Sequence, residues 1–245
     1  MKGDYPVEVR ETWSAPSGTG VALITMPNVP RPLHGLPPRK IMGQANWDRM
    51  RKRCYYNAGY KCEICGCEPP KGQLHAHELY SVDWIEGTST FNRCIAICKQ
   101  DHDFIHSGRL VTLHKSGNPL YSKEYVLSVV EKGFKLIHDA NVKYDAKLKA
   151  YATFLEYLKV PSLQKEMEEL IDKYNIEFYS EPKKIAKWSD WRLVWRGKEY
   201  YTPYKNKGEW EEAMVEYGKT DTKRQVQDPF KGEAYDVINE ILGDS

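Results

Sequence analysis

The chain has 245 residues, 41% of them hydrophobic, with 36 Lys+Arg against 34 Asp+Glu for a net charge of +2. That composition is enough for an ordinary buried core, and no run approaches the roughly 18 consecutive apolar residues of a bilayer-spanning helix, so a helical membrane protein is excluded. Residues 1–14 alternate charged and small side chains where an export signal would be apolar, and the expectation is a cytoplasmic protein with no membrane partner.

In chain order, residues 1–44 hold seven prolines and several glycines, which breaks any sustained period and predicts an extended N-terminal arm or wrapping segment. Trp47–Tyr56 reads as a helix with Trp47, Met50 and Cys54 on one face and Arg49, Arg51, Lys52 and Arg53 on the others. Taken alone, those bases make an ordinary solvated helix face. A strand is expected at 73–78, then a loop through Asn92, a second strand at 94–97 and a helix from Lys99 to Ser107 stopped by Gly108.

Beyond residue 110 the pattern turns helical. Ser122 can cap a helix through His138, 145–158 and 162–174 follow on either side of Pro161, and 209–217 and 234–242 are short terminal helices. Residues 191–202 read as a β-hairpin turning at Arg196 and Gly197. The aromatic residues around it, including Trp195 and Tyr200, are expected in a core more than as base-stacking platforms. The fold class is therefore α+β, divided into an arm (1–44), a small core (45–110) and a mainly helical region (111–245) that could recognise a substrate or partner.

The six cysteines all fall within residues 54–98, which suits thiolates gathered on a metal better than a scattered disulfide framework. Cys62-x-x-Cys65 and Cys98-x-x-Asp101 form two knuckles that can close a tetrahedral zinc, with carboxylate oxygen as the fourth donor; Cys67 or Cys94 can substitute, and Cys54 reads as a core thiol. His102 and His106 lie four apart on the expected helix, so both rings share a face, and His77 can join them from a strand. Three neutral imidazoles leave positions on a divalent ion open for a phosphate oxygen and water. Histidines four apart usually decorate a helix surface; the adjacent knuckle is what gives this pair weight.

The run from Tyr60 to Leu110 (YKCEICG, LHAHE, NRCIAICKQDHDFIHSGRL) resembles the HNH, or ββα-metal, endonucleases, and the lead-in HGLPPRKIMGQANWDRMRKRCYYNAGY is similar to that of bacterial and phage members with His-Glu in place of His-His. The resemblance implies a zinc-braced ββα-metal core and a metal-dependent enzyme that cuts DNA, acting in a bacterial or phage-infected cell. Position by position, it implies that His77, His102 and His106 hold a catalytic divalent ion such as Mg2+ or Mn2+. Glu78 stands where the family has its general-base histidine, His75 is a second candidate for that role, and Asn92 most nearly matches the family's asparagine. Phosphate contacts are expected from Arg51, Arg53, Arg93, Lys99 and Arg109, and the surplus of basic residues in 1–110 (14 against 11 acidic) agrees with that placement.

One such site nicks one strand, so double-strand cleavage calls for a homodimer or two events. The motif does not separate DNA from RNA. A rival expectation is a catalytically silent, zinc-stabilised module of the same shape that binds DNA or a protein, the latter through residues 111–245.

Overall fold

The computed structural model describes residues 7–9, 11–142, 160–176, 178–180 and 184–214. The expected helices at 145–158 and 234–242 lie outside these residues. The fold is mixed α+β around a five-stranded sheet of order β2-β3-β4-β6-β7, built from β2 (Thr12–Trp13), β3 (Leu74–Asp83), β4 (Thr88–Cys98), β6 (Arg192–Trp195) and β7 (Lys198–Tyr201). A separate parallel pair joins β1 (Val7–Val9) to β5 (Phe178–Ser180). No helix among the described residues is long and apolar enough to cross a membrane.

The centre of the sheet is the antiparallel hairpin β3–β4. It differs from the loop expected through Asn92: residues 79–83 and 88–93 are paired strand, with Val82 opposite Ser89 and Asp83 opposite Thr88. The reversal is confined to 84–87, where the Asp83 carboxylate accepts the backbone N–H groups of Ile85 (2.9 Å) and Glu86 (2.8 Å) and Gly87 adopts φ 66°. The register skips at Asn92, since Leu79 faces Arg93 while Tyr80 faces Phe91. That extra residue is a β-bulge, which breaks the two-residue period and hides the strand from a pattern reading.

Strand alternation puts His75, His77 and Leu79 on one face of β3 and Ala76, Glu78 and Tyr80 on the other. Against the histidine face lies α3 (Lys99–Ile105), on which α4 (Ser107–Lys115) and α5 (Lys123–Asp139) pack in turn. Against the other lies α2 (Gln44–Asn57), preceded by α1 (Pro38–Met42); the Ala76 N–H donates to the Tyr55 hydroxyl at 3.1 Å. α2 buries Trp47 and Cys54, as its period predicts.

Gly108 does not stop the chain's helical course. The break falls at His106 (φ −93°, ψ 43°), and Gly108 sits in the first turn of α4. Ser122 does cap α5, its side chain accepting the Tyr125 N–H. The apolar stripe of α5, including Val126, Val130, Phe134 and Ile137, then covers α3, with Phe134 edge-on to Phe104 at 6.1 Å. α6 (Pro161–Lys173) adds Leu163, Met167 and Ile171 to the same core.

The N-terminal segment wraps into this core. Trp13, Leu23, Ile24, Met26 and Leu33 are all buried, carried on β2 and two short 3-10 turns. The hairpin expected at 191–202 forms as β6–β7, with Arg196 (φ 52°) and Gly197 (φ 71°) both left-handed, the two-residue turn that matches strand twist. β6 runs parallel to β4 through residues 88–90, so the described part of the helical region and the central hairpin share one sheet. A last helix starts at residue 207 and is described to 214.

Candidate metal centres

Two groups of side chains gather where the hairpin runs into α3. His77 arrives on β3, and one turn of α3 brings His102 and His106 to meet it, with ligand nitrogens of the three within 4.8 Å of one another. Ring centroids are 5.4 Å (His77–His102), 4.9 Å (His77–His106) and 4.6 Å (His102–His106) apart. His102 Nδ1 is buried without a hydrogen-bond partner, and the nearest carboxylate oxygen, on Asp103, stands 3.8 Å away. A buried imidazole nitrogen left unpaired costs free energy unless another partner takes it. The set is chemically fit for a divalent ion.

The second group is Cys62, Cys65, Cys98 and Asp101, again with donor atoms within 4.8 Å of one another. The Cys62 thiol donates to Asp101 Oδ2 at 3.1 Å, and the Cys65 and Cys98 sulfurs are 4.0 Å apart. Bond lengths of 2.0–2.3 Å to a tetrahedral zinc put donors about 3.3–3.8 Å apart, which small side-chain rotations reach. Hydrogen bonding inside the cluster concentrates the negative charge on Cys65, holding that thiol below its usual range and pushing Cys62 up. Both groups could therefore hold a metal ion, and the sequence-predicted ligands are the ones brought together.

A comparison with known protein families, curated proteins and solved structures found no match.

The remaining predicted residues divide. His75 stacks on His102, with centroids 4.6 Å apart and planes at 22°, and burial with the nearby His102 charge pushes it down to about 3, so it is neutral near pH 7. Glu78 lies on the opposite face of β3, partly buried, and desolvation raises its carboxyl above the usual range. It is not brought to the histidines. Neither is Asn92, which occupies the bulge and accepts from the Ser81 hydroxyl at 3.1 Å. Since His77 pairs with Ile95, Asn92 sits three residues, roughly 10 Å, further along β4.

Among the expected phosphate contacts, Arg93 is committed to structure: it bonds Glu63 at 2.6 Å and the Gly18 carbonyl at 2.9 Å. Lys99 is held by Asp103 and the Tyr125 hydroxyl beneath the rings of Tyr121 and Tyr125. Arg51 pairs with Asp48 at 2.8 Å. Arg109 is half exposed beside the histidines, 3.9 Å from Asp103, and Arg53 is exposed on α2.

Two residues that the sequence reading missed organise these centres. Asp103 is buried, and although burial alone would raise its carboxyl, contacts from His102, Lys99 and Tyr125 hold it well below the usual carboxylate range. Lys132, from α5, reaches the cysteine group with Nζ 2.7 Å from Asp101 Oδ1, 3.2 Å from the Cys98 sulfur and 3.4 Å from the Cys65 sulfur. Asp103 is signalled only by its place beside His102. Lys132 lies 31 residues past Asp101 on an ordinary amphipathic helix and carries no local signal.

Proposed function

We propose that the chain is a metal-dependent endonuclease of the HNH type that hydrolyses DNA phosphodiester bonds, nicking one strand per event. The observation that carries this reading is the convergence of His77, His102 and His106 from a hairpin and the helix that follows it, beside a second centre of cysteines. A divalent ion on the three histidines would supply Lewis-acid stabilisation of the charge that builds on the phosphate and the leaving 3′ oxygen.

The chain's own residues have separable parts. His75 shares the histidine face and stacks on His102, which places its imidazole to take a proton from the attacking water, while the burial that keeps it neutral also makes it a weak base. Arg109 is exposed enough to bind a phosphate oxygen. Asp103 supports the face from beside it, bonding Lys99 and Tyr125 and standing 3.8 Å from His102 Nδ1. The thiolate group, with zinc, would brace the helix that carries His102 and His106.

The placement of Glu78 favours one rival. With the family's base position turned to the far face, a catalytically silent zinc module that binds DNA or a protein gains support. Supercoiled plasmid with magnesium or manganese separates the two: the expected result is nicked circles that disappear in His77→Ala. An absence of nicks in either metal, or nicks undiminished in His77→Ala, would refute the nuclease reading; parallel RNA substrates test the nucleic-acid class.

A further inference from the structure

On the side of β3–β4 away from the histidines lies a cleft of about 1590 Å³ that meets the metal centres only through the Cys62–Gly66 loop. Its walls are α2, the Cys62–Gly66 loop, the outer edge of β4 past its pairing with β6, and the β6–β7 hairpin. The volume exceeds the roughly 300–1,000 Å³ of an ordinary small-molecule pocket. There is room for several linked units.

The lining is strongly one-signed. Arg49, Arg53, Lys61, Arg93 and Arg196 face a single carboxylate, Glu63, which is already bonded to Arg93. The surplus of four positive charges compares with a net +2 for the whole chain, so basic charge is concentrated here while the remainder of the protein is slightly acidic. Arg53 has no carboxylate partner among the described residues, and Lys61 pairs only with Glu68 at the surface. A basic patch of this kind fits a polyanion.

Aromatic rings are interleaved with these cations. Phe91, Trp195 and Tyr200 line the cleft and are only partly buried, and the Arg196 guanidinium lies 5.1 Å over the Trp195 ring. Rings that belonged only to a core would be sealed off. Charged groups that track phosphates, together with ring faces open to stacking, are what an unpaired strand requires; a duplex keeps its bases stacked on one another, and an acidic peptide leaves the rings without partners.

We infer that this cleft binds a single-stranded polynucleotide, its phosphates on Arg49, Arg53 and Arg196 and its bases against Trp195, Tyr200 and Phe91. The inference extends the nuclease reading by giving the strand a second hold away from the histidines, and it does not rest on hydrolysis.

The test uses full-length protein with His77→Ala, so that bound strands stay intact. Fluorescence anisotropy is recorded for labelled dT and rU strands of about 12 nucleotides, within the site size of such grooves, and for a duplex of that length, over a series of salt concentrations. Single strands should bind at least tenfold more tightly than the duplex. Binding of either strand supports the proposal, and the tighter one names the source. Arg53→Glu/Arg196→Glu should weaken binding tenfold or more and lower the log–log salt slope by about 1.4, two phosphate contacts at about 0.7 each. Trp195→Ala should cost roughly fivefold or more.

Unchanged affinity and slope in the charge variant, equal binding of duplex, or displacement by a glutamate-rich peptide at matched charge would each overturn the proposal. A thiothymidine-containing strand photocrosslinked to the otherwise unaltered cleft should attach within its lining, and attachment elsewhere overturns it without reliance on variant folding. Loss of nicking alongside cleft-dependent binding removes only the nuclease reading. Intact nicking with cleft-independent binding removes only this one.

Discussion

Replacing Lys132 by methionine isolates the charge balance of the cysteine group. Asp101 is 1% exposed and its Oδ1 lies 2.7 Å from Lys132 Nζ, whose side chain is 26% exposed. Removing one partner of a buried ion pair costs about 3–5 kcal/mol, and the partial exposure of Lys132 places this pair at the lower end, about 3 kcal/mol. Methionine keeps the apolar stem, so packing on α5 contributes little to the loss. For a chain of this size about 3 kcal/mol lowers the thermal midpoint by roughly 6–12 °C. That loss applies to the metal-free protein. With zinc on the four donors, Asp101 has another cation as partner, and the variant should lose no more than about 1 kcal/mol. By linkage, the difference of about 2 kcal/mol appears as roughly 30-fold tighter metal binding by the variant, because Lys132 and the metal compete to neutralise the same anions. Urea unfolding with chelator and with excess zinc, plus competition against a chromophoric chelator, measures both quantities. Equal losses in the two conditions, or weaker zinc binding by Lys132→Met, would refute the reasoning.

Gly133→Ala should destabilise despite a helix-propensity gain of about 1 kcal/mol, because the new Cβ would stand 2.2 Å from the Phe104 ring; a net loss of about 1–2 kcal/mol in urea, relieved by Phe104→Leu, is expected. Arg93→Ala leaves the nearly buried Glu63 carboxylate without its guanidinium and should cost about 2 kcal/mol, with faster hydrogen exchange at the Ala96 N–H that Glu63 accepts. A pH effect centres on His34. Trp210 Nε1 donates to its Nδ1 at 3.2 Å, so Nε2 carries the proton and donates to the Val29 carbonyl at 3.0 Å. Desolvation lowers the His34 pKa, with the Arg31 charge also acting downward, so its stabilising share is present above pH 6.5 and fades as pH falls towards the lower folded value. Stability curves of wild type and Trp210→Phe should converge on acidification, and parallel curves would count against this assignment.

The ligand sets were legible because metal chemistry is local in sequence: Cys-x-x-Cys, Cys-x-x-Asp and histidines four apart encode their own convergence once a helix and a strand carry them. The β6–β7 turn was legible for a similar reason, since Arg196-Gly197 between aromatic runs has few alternatives. The far half of the β3–β4 hairpin was hidden by the bulge at Asn92, which shifts the two-residue period partway along the strand. The continuation from α3 into α4 was obscured because His106 absorbs the bend that Gly108 was expected to make. Lys132 and the parallel pairing of β4 with β6 join residues far apart in the chain, and no local rule reports such contacts. Glu78 shows the converse limit, since adjacency to His77 in sequence means opposite faces once the segment is a strand.

The Cys62–Cys65 knuckle also does the work of a neighbouring strand. Past residue 90 the outer edge of β4 has no strand beside it among the described residues, and Glu63 fills the gap, its N–H donating to the Ala96 carbonyl and its carboxylate accepting the Ala96 N–H, each at 2.8 Å. An ion on the adjoining thiolates would thus fasten a cover over backbone groups that otherwise recruit other chains. Starving the protein of metal would then threaten its colloidal behaviour before its catalysis, through self-association along that unguarded margin.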